Sequence, residues 1–109
     1  MANIYKNAKV DLTANTATTV YTVPSDSRSI VKSIIVSEDS GNADTITLTI
    51  TDASSNVFSL FKTKAVSANA TVELLSQPLV LQESEILKAT AATANRLHIV
   101  VSVLEINRS

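Results

Sequence analysis

The sequence contains no cysteine and no tryptophan, and it has only one glycine and two prolines. The lack of cysteine excludes disulfides, zinc–thiolate sites and thiol catalysis. Aromatic residues make up 4% of the chain and hydrophobic residues 45%, so the core must consist of valine, isoleucine, leucine and alanine. Because Gly41 is the only glycine, we expect asparagine, aspartate and serine to form most turns, since these residues tolerate left-handed backbone conformations at some cost.

The charge balance gives no general attraction to polyanions. The formal net charge is −1, and no local cluster of lysine or arginine compensates for it. Residues 1–7 lack the apolar centre of a leader peptide, and no later run approaches the roughly 18 apolar residues of a membrane helix. We therefore predict no nucleic-acid or membrane partner. A chain of 109 residues suits one hydrophobic core, so we also predict a single domain over residues 1–109.

Two patterned segments and the turn between them carry the strongest structural signal. Ser29–Ser37 reads as a buried strand, and Asp44–Asp52 alternates threonine with isoleucine and leucine. Side chains in a strand point alternately to opposite faces, so this second strand has one apolar face and one polar face that is exposed to solvent. The residues between the strands, 38–43, include aspartate, serine, glycine and asparagine, which favour turns. We predict an antiparallel hairpin.

Seven further segments have strand-like patterns, and together they indicate an all-β protein. No convincing helical stripe occurs, although residues 83–94 contain good helix formers and a helix is the competing interpretation there. The pattern predicts an antiparallel β-sandwich, jelly-roll-like or immunoglobulin-like, with eight to nine strands. The last segment is apolar on both faces from Val100 to Leu104, as in a strand covered on both sides. The seven segments are residues 8–13, 17–23, 57–66, 70–75, 79–81, 86–91 and 97–106.

Catalytic patterns are missing from the sequence. His98 is the only histidine, so any histidine triad or multi-histidine metal site would have to be built around it. Its neighbours place it on the face opposite Leu97 and Ile99, and we predict a position at the sheet surface or in a subunit contact. Glu83 and Glu85 share one side if a strand includes them, but we expect solvated loop charge. We predict that the chain is not an enzyme and has no catalytic or cofactor-binding residue.

A calcium site is the one metal site worth testing. The turn residues 38–44 offer several oxygen ligands, but their spacing matches no calcium loop and the turn itself needs them. Asn69-Ala70-Thr71 matches a glycosylation acceptor, which means nothing without a secretory route. We therefore predict no metal and no cofactor. The five oxygen-bearing residues considered are Glu38, Asp39, Ser40, Asn42 and Asp44.

Three stretches carry a family resemblance. Val20–Ile50 begins with V-Y-T-V-P and contains V-K-S-I-I-V and D-T-I-T-L-T-I, Phe58–Ala91 contains L-V-L before an acidic turn, and Asn95–Ile106 ends in V-S-V-L-E-I. Together they resemble a class of small virion proteins of tailed bacteriophages. The chain departs from that class at residues 67–69 and 83–85, where such proteins commonly carry glycine.

The resemblance implies a β-sandwich on the outside of a phage particle, assembled in the cytoplasm of the bacterial host. The expected role is that of a head decoration or cement protein that binds and stabilises the head shell. The implied partners are the chain itself, as a homotrimer, and the major capsid protein or other virion proteins. The alternative is a tail, neck or fibre component that includes a receptor- or glycan-binding module, but the few aromatic residues disfavour sugar stacking.

The two chain ends are candidates for arms that reach a neighbouring subunit. Residues 1–7 and 107–109 contain few apolar side chains, which cannot offset the entropy of ordering them alone. We expect these segments to become ordered only on assembly.

Overall fold

The computed structural model describes residues 2–107, which form nine strands in two antiparallel sheets. None of the elements in this range is a helix long and apolar enough to cross a membrane. The strands are β1 (Ala2–Leu12), β2 (Thr18–Thr22), β3 (Ser27–Glu38), β4 (Asp44–Thr51), β5 (Val57–Val66), β6 (Thr71–Glu73), β7 (Leu79–Leu81), β8 (Ile86–Ala91) and β9 (Leu97–Asn107).

The two sheets pack face to face as a β-sandwich, which confirms the predicted fold class. Sheet A has the order β1-β9-β3, and the short strands β7 and β6 follow one another along the far edge of β3, where β7 pairs with its first half and β6 with its second half. Sheet B has the order β2-β8-β4-β5. All described strand pairs are antiparallel.

The core lies between the inner faces of the sheets and follows the two-residue period of the strands. In β4, Ile46 and Leu48 are fully buried, whereas the neighbouring threonines are half-buried on the outer face. Ile50, which shares the inner face, is only half-buried because it lies towards the end of the strand. In β8 the inner positions hold Leu87 and two small alanines, which let the sheets approach closely.

The predicted hairpin is wrong in its pairing. Its two strands exist as β3 and β4, but β3 pairs with β9, β6 and β7, whereas β4 pairs with β5 and β8. The turn over residues 39–43 therefore carries the chain from one sheet to the other. Strand patterning predicts which face of a strand is buried, but it does not predict which strand pairs with its edge. Two consecutive strands with buried faces can lie in opposite sheets as well as next to each other in one sheet.

Residues 83–94 contain strand β8 and no helix, so the strand interpretation is confirmed. The expectation about turns is also confirmed, because four positions with positive φ at turns hold serine or asparagine. Thr63 is a further such residue, at an irregular point within β5. The serine and asparagine positions are Ser55, Asn69, Ser84 and Asn95, and Gly41 has a φ of 83°.

The N-terminal segment differs from the predicted arm. Strand β1 pairs with β9 over all 11 residues without a register shift, from Ala2 opposite Asn107 to Leu12 opposite Leu97. The backbone ladder supplies the ordering that the few apolar side chains could not. Within the predicted C-terminal tail, Asn107 pairs with Ala2 and Ser27, while residues 108–109 lie outside the described residues, as does Met1.

Strand β9 lies centrally in sheet A, but only one of its faces is covered. Its inner residues from Leu97 to Glu105 are buried, whereas Val100 on the outer face is 36% exposed and Leu104 is half-buried. The expectation of a strand covered on both sides is therefore wrong for the isolated chain. An apolar face remains open on the outside of sheet A.

Candidate functional site

The outer face of sheet A presents two rows of apolar side chains that cross the strands. Directly paired residues in an antiparallel ladder lie on the same face. The first row pairs Tyr5 with Leu104, Leu104 with Ile30, and Ile30 with Val80. Its two outer members are the most open, with Tyr5 75% and Val80 59% exposed. The row therefore spans β1, β9, β3 and β7 with its apolar surface in contact with solvent.

The second row lies four residues along β9 and has a charged residue at each end. Lys9 pairs with Val100, Val100 with Ile35, and Ile35 with Glu73. The Glu73 carboxylate accepts hydrogen bonds from the Ser33 hydroxyl and from two backbone amides. Burial raises the pKa of Glu73, but these hydrogen bonds outweigh it and lower the pKa below its usual value, so the row keeps a negative end opposite the positive one.

Small polar residues separate the two rows. Asn7 pairs with Ser102 and Ser102 with Ser33. Asn7 and Ser102, together with Tyr5 and Lys32, border a shallow depression of about 400 Å³. We call the two rows and this depression the outer face of sheet A.

The outer face of sheet B has a different chemistry. Thr47 pairs with Thr90, and Thr49 pairs with Lys88, which in turn pairs with Thr19. The hydroxyl of Thr47 accepts a hydrogen bond from the Thr63 backbone amide at 3.1 Å, so part of this face serves to hold β5 in place. Threonine is well suited to the solvent-facing side of a sheet, and the exposed apolar side chain on this face is Val57, which pairs with Thr51 at the edge and is 63% exposed.

His98 lies on the outer side of sheet A, as predicted for a surface position. Its Nε2 lies 3.2 Å from Asp11 Oδ1 and its Nδ1 lies 3.5 Å from Asp39 Oδ2. All three side chains are well exposed, with 40% of the histidine side chain accessible. These contacts link β1, β9 and the turn after β3.

The oxygen ligands considered for calcium do not converge in the structure. Glu38 is buried, and its carboxylate accepts backbone hydrogen bonds from Ser40 at 2.8 Å, Gly41 at 3.0 Å, and Asn69 at 3.0 Å. Asp39 points to His98, and Asp44 accepts a hydrogen bond from the Thr93 amide at 3.0 Å. Within the described range, no group of three or more histidine, cysteine, aspartate or glutamate side chains could hold a metal ion.

Glu38 instead organises two turns. Burial raises the pKa of its carboxyl, but hydrogen bonds from the Ser40 hydroxyl and from the amides of Asn69, Ser40 and Gly41 outweigh that effect and lower the pKa to about 2. The same oxygens hold the loop after β3 and the loop before β6. The residue is therefore a structural anchor that sequence patterning had assigned only to a turn.

A second buried polar group connects the two sheets. The Tyr21 hydroxyl on β2 donates to Glu105 Oε2 on β9 at 2.5 Å and lies 2.6 Å from the Ser29 hydroxyl on β3. Lys6 Nζ lies 3.3 Å from the same Glu105 oxygen. Burial, and then the hydrogen bond to Glu105, raises the pKa of Tyr21 well above its usual value, so the hydroxyl stays a donor. The two-residue period of β9 is the signal that could have placed Glu105 on the inner face, but only the fold brings its partners Tyr21 and Lys6 to it.

The paired glutamates behave as loop residues. Glu85 accepts a hydrogen bond from the Gln82 backbone amide at 2.7 Å, which stabilises the turn before β8. Asn69, in the glycosylation pattern, has a left-handed backbone and donates its amide to Glu38. The paired glutamates and Asn69 therefore lie in loops between strands.

The sequence matches no family model and no curated protein. Among solved structures, the fold is similar to one described under the words "Bacillus endospore appendages form a novel family of disulfide-linked pili". The two chains are 12% identical, the match covers 98% of this chain and 89% of the other, and the TM-score is 0.59. At this level of identity the likeness supports the β-sandwich fold alone.

Proposed function

We propose that the chain is a structural protein of a tailed-phage virion that decorates and stabilises the head shell. The observation that carries this proposal is the outer face of sheet A, where a central strand with apolar residues on both faces is covered on one side only. Rows of exposed apolar side chains bordered by charges are typical of a protein–protein contact. The resemblance of the sequence to small virion proteins gives that contact its particular setting.

The proposed partner at this face is the major capsid protein. Val80 and Tyr5 are the most exposed apolar side chains of the face and would enter apolar depressions of the shell, while Lys9 and Glu73 at opposite edges would fix the orientation. A single small contact of this kind binds weakly. Occupation of a repeating lattice by many copies that also contact one another would strengthen it by multivalency.

The fold neighbour is consistent with an assembly role and also sets a contrast. That protein is described as belonging to disulfide-linked pili, whereas this chain has no cysteine. Any assembly of this chain must therefore rely on surface packing and strand pairing. Such contacts suit a particle that is assembled in the reducing cytoplasm of its host.

The alternative is a tail, neck or fibre component with a receptor- or glycan-binding surface. Tyr5 and Phe58, 75% and 57% exposed, are the two most open aromatic rings among the described residues. They lie in different sheets, Tyr5 on β1 and Phe58 on β5, so they form no shared stacking platform. This separation favours the shell-binding role.

The test is quantitative mass spectrometry of purified particles, followed by rebinding of the recombinant protein to particles that lack it. We expect a fixed ratio to the major capsid protein, saturable rebinding, and strongly reduced rebinding of Val80→Asp. Thr49→Asp, on the outer face of sheet B, is the matched control and should rebind normally. A copy number equal to that of the tail vertex would favour the alternative, and absence from the particle would exclude both virion roles.

A further inference from the structure

Strand β1 has the one long and regular free edge among the described sheets. The other edge strands are interrupted: β2 has five residues and a register shift, β5 has two register shifts, and β6 and β7 have three residues each. Strand β1 has 11 residues in unbroken register with β9 and contains no proline. An edge of this kind exposes a row of unpaired amides and carbonyls that can pair with another strand.

The first half of β1 receives little support apart from its ladder with β9. Residues 3–7 are exposed although they alternate between the two faces, and Ile4 is 50% exposed on the inner side. Lys6, an inward charge that would otherwise discourage pairing, is already engaged by Glu105. The edge is therefore long and regular, and its inward charge has a partner.

We propose that two copies of the chain pair through β1 in antiparallel fashion about a twofold axis at Asn7, which joins their A sheets into one continuous sheet. The strand runs from Ala2 to Leu12, so its centre is residue 7, and an axis there overlaps all 11 residues. The pairing adds about ten backbone hydrogen bonds. An axis perpendicular to the sheet also keeps the two apolar outer faces on the same side of the dimer.

The side chains of β1 are complementary to themselves in this register. Ile4 lies opposite Val10 of the second copy on the inner face, and Tyr5 lies opposite Lys9 of the second copy on the outer face, where an ammonium can lie against the ring. Asn3 lies opposite Asp11, and Lys6 lies opposite Ala8. No like charges face each other. Moving the axis to Lys6 would instead place this lysine opposite its own copy, which opposes that register.

Because the chain has no cysteine, single cysteine variants test the register directly. The sites are Asn3, Asn7 and Asp11, which all lie on the exposed outer side of β1. We expect Asn7→Cys alone to form a covalent dimer in high yield on mild oxidation. Asn3→Cys and Asp11→Cys should each stay monomeric in denaturing gels, whereas an equimolar mixture of the two should give the mixed dimer. Equal yields at all three positions would overturn the proposal.

Charge substitution in the cysteine-free chain provides the equilibrium test. Tyr5→Lys places two like-charge pairs across the axis and should weaken dimerisation in sedimentation equilibrium by about tenfold or more. Tyr5→Lys combined with Lys9→Glu should restore it, since residues 5 and 9 of one strand lie about 13 Å apart and cannot pair within a copy. Circular dichroism checks that each variant is folded. A wild-type chain that is monomeric at all concentrations, or a double variant as weak as the single one, would overturn the proposal.

This twofold contact differs from the closed trimer that the sequence resemblance implies. A twofold contact is isologous, so each subunit uses the same surface and the pairing stops at two copies. The proposal does not depend on the virion role, because the dimer is measured with the isolated chain. If Asn7→Cys forms the covalent dimer but the wild-type chain does not bind particles, the proposed function is contradicted and the dimer proposal stands.

Discussion

The two outer faces of the sandwich come from the same strand architecture but have different chemistry. Sheet A carries rows of apolar residues that end in Tyr5 and Val80, 75% and 59% exposed, whereas sheet B carries rows of threonine. Both faces cover one core, and both belong to antiparallel sheets. The difference shows that the fold needs only the inner faces, so the outer face of sheet A is available for a contact outside the chain.

The free edges of the two sheets also differ. The free edge of sheet B at β5 is interrupted by register shifts around Leu48 and by the left-handed Thr63, which are features that protect an edge from pairing. The free edge of sheet A at β1 lacks them. The open apolar face and the regular edge thus belong to the same sheet.

The largest expected effect separates the inner from the outer face of β4. Leu48→Asp should destabilise the protein by about 3 to 5 kcal/mol or unfold it, because an unpaired carboxylate would lie in the core. Thr49→Asp, one residue further on the outer face, should cost less than about 1 kcal/mol. Urea unfolding followed by circular dichroism measures both. Equal losses would show that the outer face of sheet B is covered as well.

The next effect concerns the polar connection between the sheets. Tyr21→Phe removes the hydroxyl that bonds Glu105 and Ser29, and leaves both in a buried site. We expect a loss of about 1 to 3 kcal/mol in the free energy of unfolding. Tyr5→Phe is the matched control on the exposed outer face of sheet A and should change it by less than about 0.5 kcal/mol. A loss at Tyr5 equal to that at Tyr21 would contradict this account.

The third prediction is a pH dependence at Glu38, which anchors the connection between the two sheets. Its folded-state pKa of about 2 lies below the usual value of 4.5, so the unfolded chain binds the proton more tightly. The stabilisation is therefore present above pH 4.5 and is lost as the pH falls towards 2. Stability measured against pH should show the difference between wild type and Glu38→Gln shrinking over this interval. Parallel curves for the two proteins would contradict the assignment.

Much of the fold follows from the sequence because strand patterning acts locally. The alternation of Ile46 and Leu48 with threonine gave the correct buried face, and the serine and asparagine turns gave the left-handed positions. Pairing is not local, and the hairpin between β3 and β4 was wrong for that reason. Each strand needs a neighbour that pairs with it in its own sheet and a second sheet that covers its buried face. The alternation does not tell which of these roles the next strand in the chain fills.

The sequence contained the apolar pattern of the candidate surface, but the structure changes its interpretation. The run from Val100 to Leu104 is apolar on both faces and predicted a strand enclosed on both sides. The structure covers one side only, so the same pattern marks a contact surface. The roles of Glu105 and Glu38 could not be predicted from the sequence, because they depend on partners that are distant in the chain, such as Tyr21 and Asn69.

The smallest effect on stability should give the clearest separation of the two outer faces. Val100→Thr and Thr49→Val are substitutions of nearly equal shape and opposite polarity, at central strands of sheet A and sheet B. Each residue is partly exposed on its outer face, so each change should alter the free energy of unfolding by less than about 1 kcal/mol. Particle rebinding should respond differently: Val100→Thr removes apolar surface from the proposed contact and should lower occupancy, whereas Thr49→Val should leave it unchanged. Equal effects of the two variants on occupancy would remove the functional distinction between the faces, and an effect of Thr49→Val alone would transfer the contact to sheet B.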